Sequence, residues 1–168
     1  MFGAGGEIPN NVGDTSLLSE DLGLAPRVAC ELFRLIEERQ TSFDVSIRMN
    51  MFELYNDNVR DLMVSKKQER LGSDNTLRIK LAEHSKSGLV EVSGAQTETV
   101  DSAIQLLDLF RRGSEVRTTA STKMNADSSR SHLITSITVS LKNRRTDTVS
   151  NGKITLVDLA GSERVGKR

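Results

Sequence analysis

The sequence predicts an α/β fold in which helices flank a central mixed β-sheet. Three observations carry that prediction. Phe43–Tyr55 alternates (Phe43, Val45, Ile47, Met49, Met51) and then admits Phe52 and Leu54 from the opposite parity. It reads as a strand whose far end is covered on both sides. Two stretches, one from Leu24 and one over Thr99–Arg112, keep their apolar residues at helical spacing. Leu133–Leu141 and Lys153–Val157 add a late pair of extended segments on either side of a charged, hairpin-type loop at Asn143–Asn151.

In chain order, residues 1–23 are rich in Gly, Asn, Ser and Asp, with Pro9, and read as a loop. In the first helix Pro26 suits the first turn; Val28, Leu32, Leu35 and Ile36 share one face, opposite Glu31, Arg34, Glu38 and Arg39. After the long strand, Asn56–Asn58 turn the chain and Val59–Met63 return a few apolar residues, followed by a polar loop over Val64–Asn75. Leu77–Leu81 and Leu89–Val92 form two short extended segments around a turn at His84–Gly88. The second helix has Thr99 as its expected N-cap, Arg111 and Arg112 near its C-terminal dipole, and Gly113 as its stop. No internal repeat is present.

At 168 residues the chain is one domain's worth, long enough to bury a core. Its formal charge is zero, so no global field draws it to nucleic acid or a membrane, and neither partner is expected. A single cysteine, Cys30, excludes an internal disulfide and a cysteine metal site; on an apolar helix face it reads as a core thiol. The opening MFGAGGEIPNN lacks a basic end followed by an apolar run, and no apolar stretch approaches the ~18 residues that span a bilayer. The expectation is an intracellular soluble protein.

Two stretches carry chemistry. In Lys153–Glu163, KITLVDLAGSE, the run Ile154–Val157 has the composition of a strand buried on both faces, Asp158 falls where it would leave the sheet, and Gly161 comes three residues later. A carboxylate there can face Mg²⁺, directly or through water, and a glycine lets a backbone N–H approach a phosphate closely. Alone, the pattern reads equally as a core strand running into a turn. Asn125–His132, NADSSRSH, clusters hydroxyls around Arg130. Hydroxyls can ligate Mg²⁺ or donate to phosphate, and arginine can hold a carboxylate in a bidentate pair.

Together and in this order, N-x-x-S-S-R-S-H and D-L-A-G-S-E resemble switch I and switch II of the kinesin motor domain. The resemblance extends to GLAPRVACELFRLI at Gly23–Ile36, to VSIRMNMFELYNDNVRDLM at Val45–Met63, and to Met1–Gly3, which is similar to the residues just after the phosphate loop in that family. It implies a P-loop-NTPase-like motor head, incomplete here. Residues 1–23 would be a loop, 24–119 a helix, a strand, a short hairpin and the second helix, 120–132 switch I, 133–157 a strand pair and 158–168 switch II. No G-x-x-x-x-G-K-[ST] occurs in the chain. Such a loop supplies most of the grip on a nucleotide, so the isolated chain is expected to be inactive and to bind nucleotide little or not at all.

The resemblance implies ATP and Mg²⁺ as cofactors. Asp158 would lie in the Mg²⁺ shell and Ser129 would approach the ion. Ser128 and the Gly161 N–H would contact the γ-phosphate, and Asn125 would help to position groups around it. Arg130 would pair with Glu163, closing switch I onto switch II around the attacking water; an exposed pair would be worth only about 0–1 kcal/mol. His132 is expected to orient the loop rather than act as a base. Microtubules (tubulin) are the implied partner, with Lys80, Lys86 and Lys167 as contact candidates; the same charges read equally as solvated faces. Also implied are a parent protein dimeric through a coiled coil and a location in the cytoplasm on the microtubule cytoskeleton. Two other readings stand beside this one. The first is a non-catalytic kinesin-like microtubule-binding module without nucleotide chemistry. The second is a small GTPase-like switch, which D-x-x-G also marks, although Thr122-Lys123-Met124-Asn125 lacks the aspartate of a base-reading motif.

Overall fold

The structure, a computed structural model, describes residues 23–64, 77–81, 90–124 and 130–161. Apart from Gly23 and Val64, the expected N-terminal loop, the loop over Val64–Asn75 and the turn at His84–Gly88 lie outside the described residues.

Helix α1 runs over Leu24–Glu37. Pro26 sits in its first turn, where a missing N–H costs nothing. Its buried side is Ala25, Pro26 and Ala29, with Val28, Leu32, Phe33 and Ile36 packed half-buried against the core. The small residues mark the closest approach; Val28, Leu32 and Ile36, singled out by spacing, flank it together with Phe33. On the outer side Arg34 pairs with Glu31 and Glu38. These pairs are exposed and stabilise the helix by only a few tenths of a kcal/mol each.

Strand β1 spans Phe43–Tyr55, as the pattern predicts, and Met51, Phe52 and Glu53 are buried in succession at its covered end. Asn56 and Asp57 both take positive φ, 47° and 62°. That is the two-residue turn whose twist suits a tight hairpin, and Asn and Asp tolerate it best after glycine. It returns the chain into β2 (Asn58–Asp61), paired antiparallel with β1. The buried Asp61 carboxylate accepts the N–H groups of Met63 (2.8 Å) and Gln96 (2.6 Å), tying this hairpin to the segment that precedes β5. Strands β3 (Arg78–Leu81) and β4 (Val90–Ser93) form a separate two-stranded ladder, and β5 (Glu98–Thr99) pairs with β1.

The second helix departs from expectation at both ends. Thr99 lies in β5, and the cap is Ser102, whose Oγ accepts the Gln105 N–H at 3.2 Å. Gln105 in turn accepts the Asp101 N–H through Oε1 at 2.8 Å, a near relative of the S-x-x-Q capping box. Helix α2 then runs over Ala103–Met124, straight through Gly113. It therefore takes in residues 120–124, which the motif places in the switch I loop. Gly113 does not stop the helix because its role is contact. A Cβ there would lie 2.1 Å from Met51 Sδ and 3.0 Å from Met63 Cε, so the missing side chain lets α2 settle onto β1.

Strand β6 (His132–Asn143) and β7 (Val149–Asp158) complete the main sheet, in the order β2-β1-β6-β7 with β5 also on β1. Every pairing among the described strands is antiparallel, so the mixed sheet expected from the sequence is antiparallel there. Odd-numbered residues of β1 and β6 and even-numbered residues of β7 share the face on which the helices pack. Its core joins Ile47, Met49 and Met51 to Leu133, Ile137 and Leu156, under Leu106, Leu107 and Phe110 of α2 and Ala25 and Ala29 of α1. Strand β7 is not buried on both faces as its composition implied. It occupies the end of the described sheet, and Val149 and Val157 are 57% and 49% exposed. Both are odd-numbered and lie on the face away from the helices, whereas Leu156 on the helix-covered face is buried.

Candidate functional site

The antiparallel register brings the start of β6 beside the end of β7. Glu53 of β1, Leu133 of β6 and Asp158 of β7 lie opposite one another in a row across three strands. The two polar segments singled out by sequence therefore leave the sheet from one margin: one enters β6 at His132, the other continues from β7 after Asp158.

Arg117 of α2 organises this margin. It is one helical turn beyond Gly113, on the stripe that begins with Leu106 and Phe110, so the helix delivers it over the row. Its guanidinium donates to the Ser131 carbonyl at 2.9 Å and to Ser131 Oγ at 3.1 Å, and its NH1 faces Asp158 Oδ2 at 3.3 Å. Its Nε lies 3.5 Å from Glu53 Oε1. The Arg117 and Glu53 side chains are 14% and 10% exposed, whereas that of Asp158 is 45% exposed. One arginine thus joins a buried carboxylate, the chain entering β6 and the carboxylate at the end of β7. Sequence reasoning missed Arg117 because it ended the helix at Arg112, and it passed over Glu53 within β1. Two signals were available: an arginine seven residues after Phe110 on the apolar stripe, and an acidic residue inside the doubly covered run Met51–Leu54.

On the other face of the sheet, His132 Nδ1 accepts the N–H of Ala160 at 3.0 Å. Arg130 is exposed, two residues before β6, and Gly161 is exposed, three residues after Asp158. The backbone of Lys80 lies in β3. Asn125, Ser128, Ser129, Glu163, Lys86 and Lys167 lie outside the described residues.

Asp158 suits Mg²⁺ by its chemistry. Its carboxylate is partly open to solvent, and among the described residues only Oδ2 is engaged, at a long 3.3 Å. Among the described residues no group of three or more His, Cys, Asp or Glu could form an all-protein cage. One carboxylate completed by substrate phosphates and water is how Mg²⁺ is usually held. Also among the described residues, no helix is long and apolar enough to cross a membrane.

Comparison with known proteins bears on the family of the chain. The family model of the kinesin motor domain matches residues 10–168. The kinesin-like protein KIN-14I of Oryza sativa subsp. japonica is 41% identical over 145 residues, which is 86% of this chain and 11% of that protein. KIN-5B of the same organism is 38% identical over 159 residues, 90% of this chain and 15% of that one. Among solved structures, one described as a fast kinesin superposes with a TM-score of 0.77 at 31% identity, covering 99% of this chain and 41% of that chain. The chain therefore spans a small part of the length of the relatives it matches.

Proposed function

The chain belongs to the kinesin motor-domain family, and from that premise we propose that it supplies the switch portion of an ATP-dependent microtubule motor. In this reading, the loop before β6 and the loop after β7 sense the terminal phosphate of ATP and pass its presence to the microtubule-binding surface. The observation that carries it is the shared margin of the sheet, where Arg117 holds Ser131 and Asp158 together.

Asp158 and Ser129 would hold Mg²⁺, which when bound neutralises charge on the phosphates. Ser128 and the Gly161 N–H would bind the γ-phosphate, and Asn125 would orient groups beside it. Arg130 and Glu163 would pair across the two loops, enclosing the attacking water and excluding bulk solvent. Lys80, Lys86 and Lys167 would face the acidic microtubule surface, so their contribution would weaken with salt. The protein would then act on the cytoskeleton, as a dimer if the remainder of the longer chain carries a coiled coil.

In the complete motor head, Glu163→Ala should leave nucleotide affinity within about twofold and lower microtubule-stimulated hydrolysis on the order of a hundredfold, as loss of a transition-state contact does. Wild-type turnover in that variant would remove Glu163 from the mechanism. The absence of G-x-x-x-x-G-K-[ST] from these 168 residues favours a narrower reading for the chain by itself, that of a module without nucleotide chemistry. A fluorescent ATP analogue should bind it little or not at all, and Mg²⁺-dependent micromolar binding would refute the narrower reading.

A further inference from the structure

We infer that His132 is a positioning residue for switch II, holding the backbone that carries Gly161. The inference rests on the reading of the two loops just given. The ladder between β6 and β7 ends at the pair Leu133 and Asp158, so backbone pairing gives no guidance beyond that point. The next fixed point is a side chain. His132, half-buried and paired with Leu54 of β1, offers Nδ1 to the Ala160 N–H at 3.0 Å. A ring nitrogen that accepts carries no proton, so this contact requires the tautomer protonated at Nε2. The acceptor is a rigid ring on the first residue of a twelve-residue strand, which makes it a firm anchor.

The consequence falls on Gly161. The peptide plane that contains the Ala160 N–H is fixed by the imidazole. Because peptide units are planar, only two dihedrals, those of Ala160, separate it from the next N–H, that of Gly161. Asp158, just upstream, faces Arg117 from the helix-covered side, while Ala160 is held from the opposite face of the sheet. The segment leaving β7 is thus pinned on both sides before it reaches the glycine. In this proposal His132 acts through the backbone, by setting where the Gly161 N–H points.

Three variants of the complete motor head test this. Asparagine places Oδ1 close to where Nδ1 lies; glutamine places its oxygen about one atom farther out; leucine fills similar space without an acceptor. His132→Leu should lower microtubule-stimulated kcat by roughly three- to tenfold, the range expected for one hydrogen bond, with KM for ATP within about twofold. His132→Asn should restore kcat to within about twofold of wild type, and His132→Gln should match the leucine variant. Exchange of the Ala160 amide with solvent, read by NMR, should accelerate by about tenfold in the leucine variant and stay slow in the asparagine variant. Equal loss in His132→Asn and His132→Leu, or no loss in His132→Leu, would overturn the inference, as would a change confined to KM. If the wild-type head shows no microtubule-stimulated turnover, the motor reading fails, and the amide alone decides. Slow exchange in wild type and His132→Asn but fast in His132→Leu then supports the anchor, and identical exchange in all three overturns it.

Discussion

Replacing Arg117 by methionine separates the stabilising contacts of this margin from the cost of leaving its acids alone. The guanidinium faces the Glu53 carboxylate, which is 10% exposed, and donates twice to Ser131. Breaking a buried pair by removing one partner costs about 3–5 kcal/mol, because the remaining charge is stranded. Two features reduce that figure. The Arg117–Glu53 distance is 3.5 Å and Asp158 is 45% exposed, so water can take over part of the solvation. A loss of about 2–4 kcal/mol is expected, or roughly 6–12 °C in Tm for a domain of this size. Most of that loss should trace to Glu53. Equilibrium urea unfolding of Arg117→Met, Glu53→Gln and the double variant closes the cycle. The double variant should be more stable than the sum of the single losses implies, by at least about 1 kcal/mol. A single-variant loss below about 0.5 kcal/mol, or strictly additive losses, would refute the buried-pair reasoning.

The packing leads to three further outcomes. Gly113→Ala should destabilise by about 1–2 kcal/mol by urea melt despite its better helix propensity, because overpacking against the buried Met51 outweighs the gain; a more stable variant would contradict the close approach. Burial holds the Asp61 carboxyl above its ordinary value of 3.8, against the opposing pull of the Gln96 and Met63 N–H groups. A raised acid favours the fold in its protonated form. The stability of wild type relative to Asp61→Asn should therefore be fully present below the ordinary value and decline as pH rises through the raised one. Urea midpoints across acidic to neutral pH should show that slope, and a pH-independent difference would refute it. Finally, Val149→Lys combined with Val157→Lys should raise the soluble monomer fraction of the isolated chain in light scattering, because charge on the end strand of the described sheet opposes strand-to-strand association; unchanged aggregation would shift the cause elsewhere.

How much of this was legible in the sequence depends on how local the cause is. The period-2 pattern and its breakdown after Met51 gave β1 to the residue, since burial on one face and then two is written along the strand itself. Pro26 and the apolar stripe gave α1 its start and its face. Gly113 misled because a glycine after Arg111-Arg112 has the local chemistry of a helix stop, while its cause, Met51, lies on another element. Arg117 was lost with it. The exposure of one face of β7 was likewise illegible, for Ile154–Val157 reads as a strand covered on both faces, and which face the helices cover is set by other elements. At the site, the motifs marked Asp158 and Gly161, and the resemblance placed two loops together. The pairing of Ala160 with His132 and of Ser131 with Arg117 depends on register, which no short motif contains.

The link between the phosphate-facing loop and the track is tested most directly by microtubule affinity of the complete head in two states, loaded with a non-hydrolysable ATP analogue and loaded with ADP, for wild type and Gly161→Ala. Wild type should differ between the states by about fivefold or more, the lower bound of usual allosteric couplings, and Gly161→Ala should bind microtubules equally in both. An undiminished difference in Gly161→Ala would contradict the proposal that this N–H reports the terminal phosphate.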